Sequence, residues 1–282
     1  MTFVIGRELL TVQVAGGALG GWVTGEGAPV LLLHGGPGLS YEYLEELAAE
    51  LGTGYRVAAY QQRGLEPSTL QGPFTIAQAI TDAVAVLDAL EWSRALIVGH
   101  SWGGQLALRL AAAHPERLLG ALAVDPLGIV GDGGSAAFEA EIDARTPKEH
   151  RERARELDER AMAGEATAEE SLESLKMVWP AYFADPESAP QMPAVRVSVE
   201  AYSGIMAELT AGTDEVAAAL SEGQVPYGVI AGAASPMPWG QAARASAELS
   251  PTAFLVVVAA AGHFPWIEAP GCVRAALKQL PR

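Results

Sequence analysis

ALIVGHSWGGQLALRLAAA, residues 95–113, consists of a short apolar run, a turn flanked by glycines and a run of helix-forming residues. The turn, Gly99-His100-Ser101-Trp102-Gly103, has the form G-x-S-x-G. A strand, a sharp turn and a helix in this order make a nucleophile elbow, which lifts a serine hydroxyl above the end of a sheet. A chain with 31 glycines can contain such a pentapeptide by chance. The flanking elements therefore carry the prediction that Ser101 is a nucleophile.

A glycine-rich turn upstream offers hydrogen-bond donors for the same chemistry. The apolar run 29–33 is followed by His34-Gly35-Gly36-Pro37-Gly38. Acyl transfer requires fixed donors for the negative oxygen of the tetrahedral intermediate. We expect the backbone N–H groups of Gly36 and Trp102 to supply them, with Gly35 as the alternative to Gly36. A plain glycine-proline turn is the competing interpretation.

The histidine that acts as general base is expected late in the chain, because elbows of this kind are followed by the acid and then the histidine. His263 follows the apolar run 254–258, so it lies in a loop at the end of a late strand. We expect His34 to order its loop and His100 to point away from the serine. The chain's histidines are His34, His100, His114, His150 and His263.

Together these motifs resemble the α/β-hydrolase superfamily over nearly the whole chain. The matching pieces are residues 34–38, 99–103, and Gly262-His263 followed by Glu268-Ala269-Pro270. Within the superfamily, the His-Gly-Gly-Pro-Gly loop and Gln62-Arg63-Gly64 resemble the proline-iminopeptidase branch. That branch usually has Asp-Gln-Arg-Gly-x-Gly-x-Ser.

This chain departs from the family pattern at three positions. Gln61 stands in place of the branch's aspartate, and Glu66 in place of its second glycine. The superfamily usually carries its acid after the strand equivalent to 226–231, in a Gly-x-x-Asp pattern, and here Ser235 occupies that position. Asp125 ends the apolar run 119–124, and some members of the superfamily carry the acid there. A carboxylate at the end of an apolar strand is costly unless it is paired, so we predict that Asp125 replaces the missing acid; a turn cap is the alternative.

The order of elements predicts an α/β fold with a mostly parallel, eight-stranded sheet, helices on both faces and a helical cap. Apolar runs at 29–33, 55–60, 95–99 and 119–124 alternate with helical patterns, and a hairpin is expected at 11–24. From 130 to 223 no strand-like apolar runs are found, and the sequence has the pattern of charged helices. We therefore predict a core of residues 1–129 and 224–282, with 130–223 as the cap insertion.

Aromatic residues in and near the predicted cap are candidates for lining an apolar substrate pocket, although a generic aromatic core is the more common explanation for such residues. The candidates for substrate binding are Gly35, Trp179, Tyr182, Phe183 and Trp266, with Met192, Tyr202 and Met206 as further wall residues. Many cap residues are acidic. Proline iminopeptidases use cap carboxylates to hold a substrate amino terminus, but a charged helix usually faces solvent.

Composition limits the classes of function. Half of the 282 residues are hydrophobic and the formal net charge is −16, which disfavours nucleic acid and anionic membranes as partners. The single cysteine, Cys272, excludes an intrachain disulfide and a cysteine-based metal site. The start of the chain does not resemble a signal peptide. We therefore expect a cytoplasmic enzyme with a small-molecule substrate and no cofactor or metal. Arginine outnumbers lysine fifteen to three, which favours a bacterial source.

These features predict a serine hydrolase that cleaves a small ester, lactone or amide through an acyl-enzyme. In this reading Ser101 attacks, His263 transfers the proton and Asp125 orients His263. The alternatives are a proline-iminopeptidase-like aminopeptidase and a non-catalytic ligand-binding protein on the same fold. Cofactor-free oxidative or carbon–carbon bond chemistry in the same pocket also stays open. The separation of Asp125 from His263 discriminates the enzyme from the binding protein.

Overall fold

The computed structural model describes residues 6–281 and contains one eight-stranded sheet with the strand order β1-β2-β4-β3-β5-β6-β7-β8. β1 pairs antiparallel with β2, and β2 with β4, whereas every other neighbouring pair is parallel. The strands are β1 (Glu8–Val14), β2 (Gly17–Thr24), β3 (Gly27–Leu33), β4 (Gly54–Tyr60), β5 (Ala95–His100), β6 (Leu118–Val124), β7 (Tyr227–Gly232) and β8 (Phe254–Val258).

The central strands β3 and β5 are apolar up to His100 at the end of β5, because helices cover both faces of the sheet. All six residues of β5 are buried. Alternate residues of β3 point to opposite faces. Leu31 and Leu33 enter one hydrophobic cluster with α2, α3 and α8, while Val30 and Leu32 enter the other with α1 and α11. The helices named here are α1 (Leu44–Leu51), α2 (Ile76–Ala89), α3 (Trp102–Ala113), α8 (Thr213–Ser221) and α11 (Cys272–Leu277).

The chain between β6 and β7 is built from helices. We call residues 130–223 the helical insertion. Its helix α6 begins with a capping box, in which the Thr167 side chain and the Glu170 side chain each bond the other's backbone N–H. Besides α8, the insertion contains α4 (Ser135–Arg145), α5 (Lys148–Met162), α6 (Ala168–Val178) and α7 (Val199–Met206), with 3₁₀ turns at Trp179–Tyr182 and Pro186–Ser188.

The predicted fold class is confirmed, and the differences lie at the ends of elements. The opening hairpin is longer than expected, because β1 and β2 stay paired from Glu8 opposite Val23 to the turn at Val14 and Gly17. The last helix, α11, ends at Leu277. Two short helices follow β7 and β8, namely α9 (Ala245–Ala247) and α10 (Pro265–Glu268). Within residues 6–281, no helix has the length and apolar character needed to cross a bilayer.

Candidate active site

Ser101 lies in a strained turn between β5 and α3. Its backbone has φ 55° and ψ −122°, a combination that residues other than glycine rarely adopt. A Cβ atom at Gly99 would lie 1.9 Å from the Gly103 carbonyl oxygen, and one at Gly103 would lie 2.2 Å from that of Leu33. Only glycine fits at both positions. The two flanking glycines therefore allow the elbow that the sequence predicts.

Asp125 ends β6 and contacts the late histidine. Asp125 Oδ2 lies 2.6 Å from His263 Nδ1, and both side chains are at most 5% exposed. Oδ1 accepts the Gly232 N–H at 2.9 Å. Because a carboxylate only accepts hydrogen bonds, Nδ1 of His263 carries the proton and Nε2 is free to accept one. This is the tautomer that a general base for a serine requires.

Ser235, which occupies the position where the sequence pattern leads one to expect the acid, is hydrogen-bonded to Asp125. Its Oγ donates to Asp125 Oδ2 at 2.5 Å and accepts the Met237 N–H at 3.0 Å. Asp125 Oδ2 thus accepts two hydrogen bonds, one from His263 and one from Ser235. The two strand ends, β6 and β7, share one carboxylate.

The oxyanion candidates differ in whether their amides are free. The Gly35 N–H donates to Tyr43 Oη at 2.5 Å, so this amide is not free to bind an oxyanion. Gly36 lines the cavity described below, together with Trp102. The Trp102 amide is at the first position of α3, where helical N–H groups have no partner within the helix. Gly36 and Trp102 are therefore the donors that this geometry favours.

A cavity of about 600 Å³ opens beside these groups, with Ser101 and His263 both in its wall. The Tyr182 ring stacks on His263 with ring centroids 5.1 Å apart. Helices α4, α5, α6 and α7 of the insertion also contribute to the cavity wall. The apolar side chains of the whole wall include Leu127, Phe138, Ile142, Met162, Val178, Met206 and Met237. Among residues 6–281, no hydrogen bond joins the Ser101 and His263 side chains. Such bonds often tighten only when substrate is bound.

The insertion is tied to the loop that carries the histidine. The His263 N–H donates to the Tyr182 carbonyl oxygen at 2.7 Å. The Glu268 carboxylate accepts the N–H of Gly262 at 2.6 Å and that of Ala184 at 2.9 Å. Glu268 therefore fastens the two segments together.

The predicted pocket residues divide into two groups. Tyr182, Tyr202 and Met206 line the cavity. Trp179, Phe183 and Trp266 do not: they pack around Phe264 in the buried cluster on the α1 and α11 face of the sheet. Met192 packs against the same cluster, and Gly35 is absent from the cavity wall. The structure therefore places these five residues outside the cavity wall. Trp179 and Phe183, at the 3₁₀ turn 179–182, and Trp266, in α10, are turned to the core by packing on Phe264.

Sequence reasoning did not single out the carboxylates of the cavity wall. Asp158 on α5 is solvent-exposed and accepts the Tyr202 hydroxyl at 2.9 Å. Partial desolvation by the surrounding protein raises the pKa of its carboxyl. Within residues 6–281, no basic side chain forms an ion pair with Asp158. Glu139 and Glu159 also line the cavity, whereas Asp143 is paired with Arg155. The cavity-lining residues of α5 recur at 151, 154, 155, 158, 159 and 162; this helical spacing was the available signal.

Two other histidines support the loops. Burial lowers the pKa of His34 to about 4, so it is neutral. Its Nδ1 donates to the Gly35 carbonyl oxygen at 2.9 Å, and its Nε2 accepts the Gln62 N–H at 3.0 Å. His100 points away from the cavity, with Nε2 2.9 Å from the His263 carbonyl oxygen. Both residues are placed as the sequence indicates.

Residues 28–270 match the family described as the alpha/beta hydrolase fold, and the chain belongs to that family. Its structure is similar to that of an alpha/beta fold family hydrolase from Bacillus anthracis, with a TM-score of 0.74, 18% identity, and coverage of 97% of this chain and 99% of that one. An enol-lactonase from Burkholderia xenovorans gives a TM-score of 0.66, 19% identity and coverage of 96% and 98%. At these identities the likeness establishes the fold.

Two curated relatives match part of the sequence. Epoxide hydrolase B of Mycobacterium tuberculosis is 37% identical over 117 residues, 39% of this chain and 33% of that protein. A putative carbamate hydrolase, RutD, of Variovorax paradoxus is 34% identical over 119 residues, 42% of this chain and 45% of that protein. The chain thus matches less than half the length of either relative.

Proposed function

We propose that this chain is a serine hydrolase that cleaves a small ester, lactone or amide through an acyl-enzyme. The observation that carries the proposal is the buried Asp125–His263 hydrogen bond of 2.6 Å, in the wall of the cavity that Ser101 also lines. A non-catalytic binding protein would not need a histidine held in the tautomer of a general base. The pair therefore favours the enzyme over the binding protein.

In the proposed reaction, Ser101 Oγ attacks the substrate carbonyl carbon while His263 Nε2 takes the hydroxyl proton. Asp125 holds the imidazole and stabilises the imidazolium that forms. The backbone N–H groups of Gly36 and Trp102 bind the oxyanion, and the positive end of α3 adds to its stabilisation. His263 then returns the proton to the leaving group. A water activated by His263 releases the acid and frees Ser101.

The substrate class rests on the cavity and on the relatives. A volume of about 600 Å³ with largely apolar walls suits a small organic substrate. The relatives act, by their names, on an epoxide, a carbamate and an enol lactone. We infer that residues 130–223 serve as a cap that excludes water and selects the substrate.

The test is labelling with a fluorophosphonate, followed by mapping of the adduct. We expect one adduct per chain, on Ser101, and none in Ser101→Ala. A panel of p-nitrophenyl esters, lactones and amides then ranks the substrates. Ser221→Ala, at the exposed end of α8, is the control and should label fully. A folded protein that labels elsewhere, or does not label, would contradict the proposal.

A second candidate function is aminopeptidase activity like that of proline iminopeptidases, which the motif resemblance suggests. The specific observation is Asp158, a carboxylate in the cavity wall that is bonded to the Tyr202 hydroxyl and has no ion-pair partner among the described residues. A free substrate ammonium group would satisfy it. Faster cleavage of aminoacyl amides than of their N-acetylated forms would support this candidate, and the reverse preference would reject it.

A further inference from the structure

A line of hydrogen bonds behind the nucleophile joins three loops at the sheet edge. The Gly35 N–H donates to Tyr43 Oη at 2.5 Å, and Tyr43 Oη lies 3.1 Å from His100 Nδ1. On the other side of the ring, His100 Nε2 lies 2.9 Å from the carbonyl oxygen of His263. The line therefore runs from the loop after β3, through the end of β5, to the loop after β8.

The direction of every proton in this line follows from its ends. The His263 carbonyl oxygen only accepts, so Nε2 of His100 carries a proton. Burial and the neighbouring His263 lower the pKa of His100 well below its ordinary value, so the ring is neutral and Nδ1 is an acceptor. Tyr43 must then donate its hydroxyl proton to Nδ1, and its oxygen accepts the Gly35 N–H. No group in the line can be reversed without leaving another unpaired.

At three points, the line reaches a residue that is either a proposed reacting group or its neighbour in the chain. Gly35 precedes the oxyanion donor Gly36, His100 precedes Ser101, and His263 is the proposed base. A Cβ atom at Gly35 would lie 2.9 Å from Ser101 Cβ, so the first loop also packs directly on the nucleophile. The line therefore links the three loops that carry Gly36, Ser101 and His263.

We propose that Tyr43 and His100 are positioning residues, which together hold the oxyanion loop and the base loop at a fixed distance from Ser101. The inference rests on the proposed function. The neutral state of His100 has a second consequence, since its ring centroid lies 4.6 Å from that of His263. A neutral neighbour lets His263 become an imidazolium without like-charge repulsion.

Removal of the Tyr43 hydroxyl tests the line with little change in packing. In Tyr43→Phe, Gly35 N–H and His100 Nδ1 lose their partner, and kcat per phosphonate-titrated active site should fall roughly 10- to 100-fold, as expected for a small misplacement of reacting groups. KM should change less than kcat. The matched control is Tyr227→Phe, which loses a buried hydroxyl bonded to the Ser246 carbonyl oxygen at 2.7 Å in the core. That control should lower Tm and leave kcat per active site unchanged.

Two substitutions of His100 separate the halves of the line. His100→Asn keeps an acceptor toward Tyr43 and loses the donor to His263, whereas His100→Gln keeps a donor toward His263 and loses the acceptor. Both should lower kcat per titrated site. Nitrogen-15 NMR of the imidazoles at neutral pH should find His100 protonated at Nε2, identified by the signal that His100→Gln removes.

The outcomes separate the two proposals. If folded Tyr43→Phe and both His100 variants keep the kcat of the parent per titrated site, or if His100 carries its proton on Nδ1, the positioning proposal is wrong. If the parent protein does not label at Ser101, the proposed function fails, and the NMR result still decides the proton arrangement. If Tyr43→Phe does not fold, the His100 pair and the NMR spectrum decide the matter.

Discussion

The sheet edge and the helical insertion both wall the cavity, but they hold their side chains in different ways. At the sheet edge, Asp125 is 1% exposed, and its carboxylate accepts hydrogen bonds from Gly232, Ser235 and His263. In the insertion, helices are linked by exposed ion pairs such as Arg155 with Asp143, whose side chains are 58% and 39% exposed. Exposed pairs contribute about 0–1 kcal/mol each.

This difference assigns different tasks to the two walls. Reacting groups must be held within a fraction of an ångström, which buried and fully bonded side chains at strand ends achieve. The exposed charged side chains of the insertion can change at little cost in stability. We therefore expect substitutions at the sheet edge to change turnover for every substrate, and substitutions in the insertion to change the preference between substrates.

The strongest test of the sheet edge is Asp125→Asn. The amide can keep the hydrogen bond to Gly232, so the fold should persist, but it favours the wrong tautomer of His263. We expect kcat to fall by up to about 10⁴-fold for every substrate. Asp88→Asn, which removes a surface ion pair with Arg117, is the control and should keep full turnover. Near-normal turnover of folded Asp125→Asn would show that the acid lies elsewhere.

Asp158→Asn tests the insertion. The ratio of kcat/KM for an aminoacyl amide to that for its N-acetylated form should fall roughly 10-fold, the effect of losing one charge-assisted hydrogen bond. Partial desolvation raises the pKa of Asp158. In the parent, the ratio should therefore rise with pH through that raised pKa, as long as the substrate amine stays protonated. Any effect of His263 on kcat/KM is common to both substrates, so it cancels in the ratio.

The control for this experiment is Glu156→Gln on the same helix, because Glu156 pairs with Arg153 outside the cavity. It should leave the ratio and its pH profile unchanged. Equal loss of activity toward both substrates in Asp158→Asn would mean that the residue supports the wall and does not select the substrate.

Ser235→Ala should have the smallest effect at the sheet edge. Asp125 keeps His263 and Gly232 when the serine donor is removed. We expect kcat to fall roughly 2- to 12-fold, equivalent to about 0.5–1.5 kcal/mol, which is a fraction of what a hydrogen bond to a carboxylate contributes to stability. Ser246→Ala, which removes a buried hydroxyl bonded to Ile129 away from the cavity, should affect stability alone. A loss as large as that of Asp125→Asn would place Ser235 among the reacting groups.

The sequence was informative where side-chain position follows from chain order. Strand ends of a parallel sheet meet at one edge, so Ser101, Asp125 and His263 could be brought together from the apolar runs before them. The fold class followed from the same alternation. For these residues, local pattern and tertiary position are linked by topology.

The cavity wall could not be predicted in the same way. Trp179, Phe183 and Tyr182 lie within five residues of one another, yet only Tyr182 lines the cavity, because the orientation of a 3₁₀ turn depends on packing against the distant Phe264. Asp158 lies in a helix whose charge pattern is typical of a solvated surface. Which face of α5 is covered depends on α4, α6 and α7, and no local rule contains that information.

The hydrogen bond of 2.7 Å from His263 N–H to the Tyr182 carbonyl oxygen has a consequence for the order of events in a catalytic cycle. A cap that swings away to release product must break this bond or take the base loop with it. In the second case, an open molecule of the proposed hydrolase would hold an acyl-enzyme with a displaced base, and bulk water would not hydrolyse it. Hydrolysis would be confined to the closed state, and the rate of opening would set the pace only after the acyl group has left.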